Sequence, residues 1–171
     1  YKAGDYNTEV AYMGCRTRVL GNVHDKNRQT TCGRGNLSFT SVNLPRLGLE
    51  AHGDVDRFFA LLDDKIDLVF RQLLHRFKIQ CAKKVRNYPF LMGEGIWIDS
   101  DKLDWDDSIG EVLKHGTLTI GFIGLAETLK ALMGVHHGES EDAQALGLKI
   151  IGRMRQRCDQ ESEKTGLNFT L

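Results

Sequence analysis

From Asp54 onward the polar and apolar positions fall into a helical period. Val55, Phe58, Phe59, Leu62, Ile66, Val69, Phe70, Leu73 and Phe77 recur at steps of three and four, one apolar face of a long helix. Asp54 or Asp56 supplies a cap, and Arg76, Lys78, Lys83 and Lys84 lie toward the C-terminal end, where the helix dipole favours cations. Residues 87–105 lose the period and are punctuated by Pro89, Gly93 and Gly95. Ser108 with Glu111 three positions on fits a capping box for a short helix that Gly116 would end. Thr117 to Phe122 then reads as a strand, and Leu125, Leu129 and Leu132 mark a helix stopped by Gly134. Ala143, Leu146, Ile150, Met154 and Cys158 mark a second helical face, with Glu141 and Asp142 stabilised in its first turn. A final strand, Leu167 to Leu171, follows Gly166.

Residues 1 to about 50 show little helical period and are rich in Gly, Thr, Asn and Arg. They read as loops and short extended pieces, with strand character from Leu37 to Val42 and a break at Pro45. The order strand, helix, loop, helix, strand predicts α/β packing, with strands covered by helices on one side. Such strands need neighbours, and the chain starts at Tyr1 and stops at Leu171 inside a strand pattern. It is therefore expected to be one segment, residues 1–171, excised from something larger and holding part of a sheet or barrel.

The 171 residues suffice for one domain with a core, and 41% hydrophobic with 27% charged residues is an ordinary globular balance. Lys+Arg and Asp+Glu are both 23, so no net field draws the chain onto a nucleic-acid polymer or an anionic membrane. An anionic ligand would have to be held by local groups such as helix N-termini. No apolar run is long enough to span a bilayer and no signal-peptide pattern opens the chain, so a cytoplasmic location is expected. The cysteines at 15, 32, 81 and 158 are too far apart for a zinc knuckle or a C-x-x-C motif, and free thiols with no metal site are expected.

Cys15 sits in Tyr12-Met13-Gly14-Cys15-Arg16-Thr17-Arg18, between small and cationic residues. Such surroundings suit a reactive thiol, whereas most free cysteines are small buried residues. Asn36 follows twenty-one positions later in Gly33-Arg34-Gly35-Asn36-Leu37-Ser38-Phe39-Thr40. Its amide can bond a substrate hydroxyl or a small carboxylate, or simply serve a turn after Gly35. Gly121-Phe122-Ile123-Gly124-Leu125 joins a strand to a helix, where Gly121 and Gly124 either admit a phosphate to the helix N-terminus or allow close packing. His136, His137 and Glu139 can be read as metal ligands or an acid–base group. Adjacent histidines do not share a helix face, and a loop that bonds backbone and caps the next helix through Ser140 fits better. Arg153 to Arg157 read as a solvated helix face, and Cys32, Cys81 and Cys158 as structural residues.

In combination and order these segments resemble the anaerobic (class III) ribonucleoside-triphosphate reductases. The resemblance runs through Met13 to Thr17, Gly33 to Thr40, Asn43-Leu44-Pro45-Arg46, Pro89 to Gly93, Gly116 to Glu127, His136 to Ser140 and Ala143 to Leu148, nearly the whole chain. It implies part of a ten-stranded α/β barrel of the glycyl-radical type, with a finger loop over about residues 8–36 and helical and βα units over about 54–171. Cys15 matches the thiol that becomes a thiyl radical and abstracts the ribose 3′-hydrogen, and Asn36 matches an amide of the substrate pocket. Met13 resembles the methionine of the formate-using branch, which makes formate the expected co-substrate, with Gly14, Gly121 and Gly124 lining the substrate's approach. The glycyl radical would lie in a C-terminal part beyond this segment, installed by a radical-SAM activase carrying a 4Fe–4S cluster. The expected partners are a ribonucleoside triphosphate, that activase and, in the parent, a second copy in a homodimer. The segment alone is expected to be inert. A pyruvate formate-lyase relative is the alternative enzyme, and a non-catalytic nucleotide-binding fragment the alternative class.

Overall fold

The computed structural model describes residues 11–13, 17–19 and 21–171. Strands β1 (Ala11–Met13) and β2 (Thr17–Val19) pair antiparallel, Met13 opposite Thr17, as a two-stranded sheet. The larger sheet is built from β3 (Asn36–Asn43), β4 (Thr117–Ile123) and β5 (Asn168–Thr170), all parallel, in the order β3-β4-β5. Parallel neighbours require crossovers. Helices α1 (Leu44–Ala51), α2 (Val55–Cys81) and the short α3 (Gly110–Leu113) carry the chain from β3 to β4, and α4 (Leu125–Met133) and α5 (Glu141–Thr165) carry it to β5. This is the α/β arrangement that the alternation of elements predicts.

The apolar stripe of α2 buries Phe58, Leu62, Ile66, Val69, Phe70 and Leu73 against Val42, Leu118, Ile120 and Phe169 of the sheet and Ile150, Met154 and Cys158 of α5. Phe70 meets Phe169 edge-on with ring centroids 5.2 Å apart, a favoured aromatic geometry. Side chains alternate across a strand, so Leu118 and Ile120 enter this core while Thr119 and Gly121 face the other way, and β3 alternates in register with them. Helices thus cover one face of the sheet. The opposite face carries the exposed Phe39, Ser41 and Ile123 and the half-buried Asn36, Thr119 and Thr170.

Asp54 caps α2 as expected, its side chain accepting from Arg57 N at 2.9 Å, and Ser140 caps α5 by accepting from Ala143 N. Three local expectations are corrected. Pro45 does not mark a break: it occupies the first turn of α1, where a missing N–H costs nothing, and Asn43 caps that helix. No capping box forms at Ser108. Its hydroxyl donates to Cys81 O at 2.9 Å, tying the chain back to the end of α2, while Glu111 pairs with Lys114. The arginines of α5 are not a solvated face, since Arg153 and Arg157 both bond Asp63 at 2.7 Å and Arg157 also pairs with Asp67, joining α5 to α2. The irregular stretch after α2 carries a small core of its own, Val85, Met92, Trp97, Ile109, Val112 and Leu113, in which the Trp97 indole N–H donates to Val112 O at 2.8 Å.

Candidate active site

The Gly33-Arg34-Gly35-Asn36 segment is pinned residue by residue. Ile98 N donates to Gly33 O (2.8 Å), Arg34 Nε donates to His115 O (2.8 Å), and Thr117 N donates to Gly35 O (2.9 Å). Gly33 has φ +70°, and a Cβ there would come within 3.2 Å of the Ile98 N and Ile96 O backbone atoms, so both conformation and space call for glycine. The anchoring delivers Asn36 to the first position of β3, opposite Thr117. Its Oδ1 accepts from Thr119 Oγ1 at 3.0 Å, and Thr119 Oγ1 lies 3.0 Å from Thr170 Oγ1. A row of polar groups therefore crosses the uncovered face from β3 through β4 to β5. Such a face offers donors and acceptors to a ligand without a buried charge.

At the N-terminal end of the same sheet is a polar cluster that no local pattern announces. Asn168, buried at the start of β5, accepts from Val23 N at 2.7 Å and donates to Lys114 O and Gly116 O. The buried His115 lies between Asn22 and Asp99, and Asp99 is paired with Arg28 at 2.7 Å and with Lys102 at 2.6 Å. Hydrogen bonds from Arg28 and Lys102 hold the Asp99 carboxyl well below the usual carboxylate range. Burial lowers the Arg34 guanidinium from its ordinary value. The cluster fixes the segment between β2 and β3 to the strand starts, and hence fixes what leads into Asn36. The only sequence signal for it is Asn22 after Gly21, a turn signature that carries no hint of partners 93 and 146 positions away.

Cys15 and Gly14 lie outside the described residues, and Met13 is described only as the last residue of β1. Gly121 shares the uncovered face with Asn36, and a Cβ on it would stand 2.7 Å from Ser41 Oγ. Gly124 caps α4 with φ +72°, and a Cβ would lie 2.2 Å from Pro45 Cγ. Both glycines thus have packing reasons of their own, and Glu127 in the first turn of α4 sets a carboxylate where an anion would approach. His136 and Glu139 bond their own loop: Glu139 accepts from His136 N at 2.9 Å, and His136 Nδ1 accepts from Gly138 N at 2.9 Å. Among the described residues no three His, Cys, Asp or Glu side chains converge as metal ligands.

Cys32, Cys81 and Cys158 are free thiols. Burial pushes the Cys158 thiol up to about 12 and raises that of Cys81, which makes both poor nucleophiles. A cleft of about 570 Å³ runs along β5 between Val23, Arg155, Asp159, Thr170 and Leu171, but it follows the sheet edge and does not include Asn36. No helix among the described residues is long and apolar enough to cross a membrane.

The fold and this face define an α/β protein whose parallel sheet is covered on one side and presents an amide and hydroxyls on the other. The family model for anaerobic ribonucleoside-triphosphate reductase matches residues 1–171, and the chain belongs to that family. It is similar to the anaerobic ribonucleoside-triphosphate reductase of Escherichia coli K12, 38% identical over 162 residues, covering 93% of this chain and 22% of that protein. The enzyme of the same name from Enterobacteria phage T4 is 29% identical over 168 residues, 95% of this chain and 26% of that one. The chain thus spans about a quarter of the length of these relatives. In structure it resembles the anaerobic ribonucleotide reductase from Thermotoga maritima solved with citrate in its active site. That match has a TM-score of 0.60 at 19% identity and covers 81% of this chain and 24% of that one, a likeness of fold.

Proposed function

We propose that this chain forms part of the catalytic subunit of an anaerobic ribonucleoside-triphosphate reductase, in which a longer polypeptide converts ribonucleoside triphosphates to deoxyribonucleoside triphosphates. The observation that carries the reading is Asn36, held on the uncovered face of a parallel sheet by the anchored Gly33–Gly35 segment, in a chain matched end to end by the family. The sheet would be part of a ten-stranded barrel with that face inward, and residues 8–36 would form the finger loop that brings Cys15 to the substrate.

In this reading Cys15, as a thiyl radical, takes the hydrogen from ribose C3′, and the 2′-hydroxyl leaves as water once protonated. Formate, oxidised to carbon dioxide, supplies the two electrons that the reduction needs, with Met13 beside it. A glycyl radical elsewhere in the polypeptide, generated by a radical-SAM activase, would supply the initial oxidising equivalent. Asn36 orients an oxygen of substrate or formate by hydrogen bonding, Gly14, Gly121 and Gly124 leave room for the nucleotide, and enclosure by the barrel keeps water from the radical. A homodimer is the proposed assembly. The test is formate-dependent formation of deoxynucleotide by the activated full-length protein. Product from at least one of the four common ribonucleoside triphosphates supports the reading, and none from any of them overturns it.

A further inference from the structure

Asn36 receives its hydrogen bonds on one side only. Thr119 Oγ1 approaches Oδ1 at 3.0 Å, Thr117 Oγ1 approaches the same atom at 3.5 Å, and no described residue accepts from Nδ2. A hydroxyl has one hydrogen to give. If Thr119 gives it to Asn36, its own oxygen is free to accept, and Thr170 Oγ1 at 3.0 Å becomes the donor. The row then has a single direction, Thr170 to Thr119 to Asn36, and each bond polarises the next. Thr117 has a second acceptor in Gly35 O at 3.4 Å, so it cannot set the direction alone.

We infer that Thr119, backed by Thr170, is a positioning residue that locks the Asn36 amide with its NH₂ group toward the ligand, so that Asn36 serves as a donor to a ligand oxygen. This rests on the reading of Asn36 as a substrate-pocket residue and deepens it, because it selects the ligand chemistry: an acceptor such as a carboxylate or a ribose oxygen. An amide free to flip would present C=O half the time and repel such an oxygen. The lock needs no charge and sits on neighbouring strands of one sheet, with Thr119 opposite Thr170 in register, so its geometry follows from the pairing.

The experiment uses the activated full-length protein with Asn36→Ala, Thr119→Val, Thr119→Ser, Thr170→Val and the double variant Asn36→Ala/Thr119→Val. KM and kcat are measured separately for formate and for the nucleoside triphosphate, with thermal melts alongside. Thr119→Val keeps size and branching, so the fold should hold, and its KM for the ligand of Asn36 should rise about fivefold, the worth of one net hydrogen bond. Thr119→Ser should restore the parent value, Thr170→Val should fall between, and the double variant should be no worse than Asn36→Ala. Parent-like KM in Thr119→Val, or a loss in the double variant equal to the two single losses combined, overturns the lock. Parent-like turnover in Asn36→Ala would instead remove the reading of Asn36 on which the lock depends.

Discussion

Asn22 and His115 stand 93 positions apart and meet through a 3.0 Å hydrogen bond between Asn22 Nδ2 and His115 Nδ1. Its direction is fixed by the other side of Asn22, whose Oδ1 accepts from Asn168 Nδ2 and from Asp25 N, both at 3.3 Å. His115 Nδ1 is therefore the acceptor, and the imidazole proton sits on Nε2, 3.5 Å from Asp99 Oδ2. A second proton, on Nδ1, would set N–H against N–H.

A pH dependence follows. Burial lowers the His115 value, and the neighbouring His24, Arg28 and Arg34 lower it further against the pull of Asp99. The unfolded chain then binds the proton first, so this contribution is complete above the ordinary histidine value, about 6.5, and is lost as pH falls through the lowered folded value. Urea midpoints of parent and His115→Gln should converge between about pH 8 and about pH 5.5, where an unperturbed histidine charges. A gap that widens on acidification would show that His115 is held protonated.

Asn168→Ala should destabilise the chain by about 2–4 kcal/mol, because Val23 N and the Lys114 and Gly116 carbonyls lose their partner beneath the surface. Equilibrium urea unfolding measures it. A loss under about 0.5 kcal/mol, the range of ordinary surface changes, would mean that the cluster does not hold the strand starts together.

Two glycines predict opposite signs. Gly124→Ala places a Cβ 2.2 Å from Pro45 Cγ at φ +72° and should cost more than about 2 kcal/mol. Gly152, inside α5 with nothing within 4 Å of an added Cβ, should gain about 0.5–1 kcal/mol on substitution by Ala, from helix propensity alone. Thermal melts of the two variants should shift in opposite directions, and a shift of the same sign would contradict the packing of α4 against Pro45.

Asp63 takes hydrogen bonds from both Arg153 and Arg157. Burial by itself would raise its carboxyl, but the two guanidinium groups outweigh that and hold it below the ordinary range. Asp63→Asn should cost about 1–2 kcal/mol, more than an exposed pair, because one carboxylate serves two arginines on a partly buried helix seam. The parent's advantage over the variant should fade as pH drops through the lowered carboxylate range. Equal urea midpoints for parent and variant at neutral pH would place the joint outside the folded-state balance.

The long helices were legible because their signal is local and periodic: nine apolar positions from Val55 to Phe77 lie on the α2 face that packs on the sheet or beside it. Pro45 misled because the same ring that breaks a helix also starts one, and only Asn43 before it distinguishes the cases. Ser108 had the spacing of a capping box, yet its hydroxyl found the Cys81 carbonyl 27 positions back, a competition that no window of sequence contains. Asn36 was legible as a candidate through its glycines, whereas Thr119 and Thr170 were not, since strand register alone brings them to it. His115 reads as one residue among polar neighbours until folding sets Asn22 and Asp99 on either side of it.

The most direct test of the central claim is Cys15→Ala in the full-length protein, activated anaerobically, with the glycyl-radical EPR signal and formate-dependent deoxynucleotide formation followed together. The account predicts a radical of parent intensity and no product. Product formed at the parent rate would contradict it and move the radical transfer to another thiol.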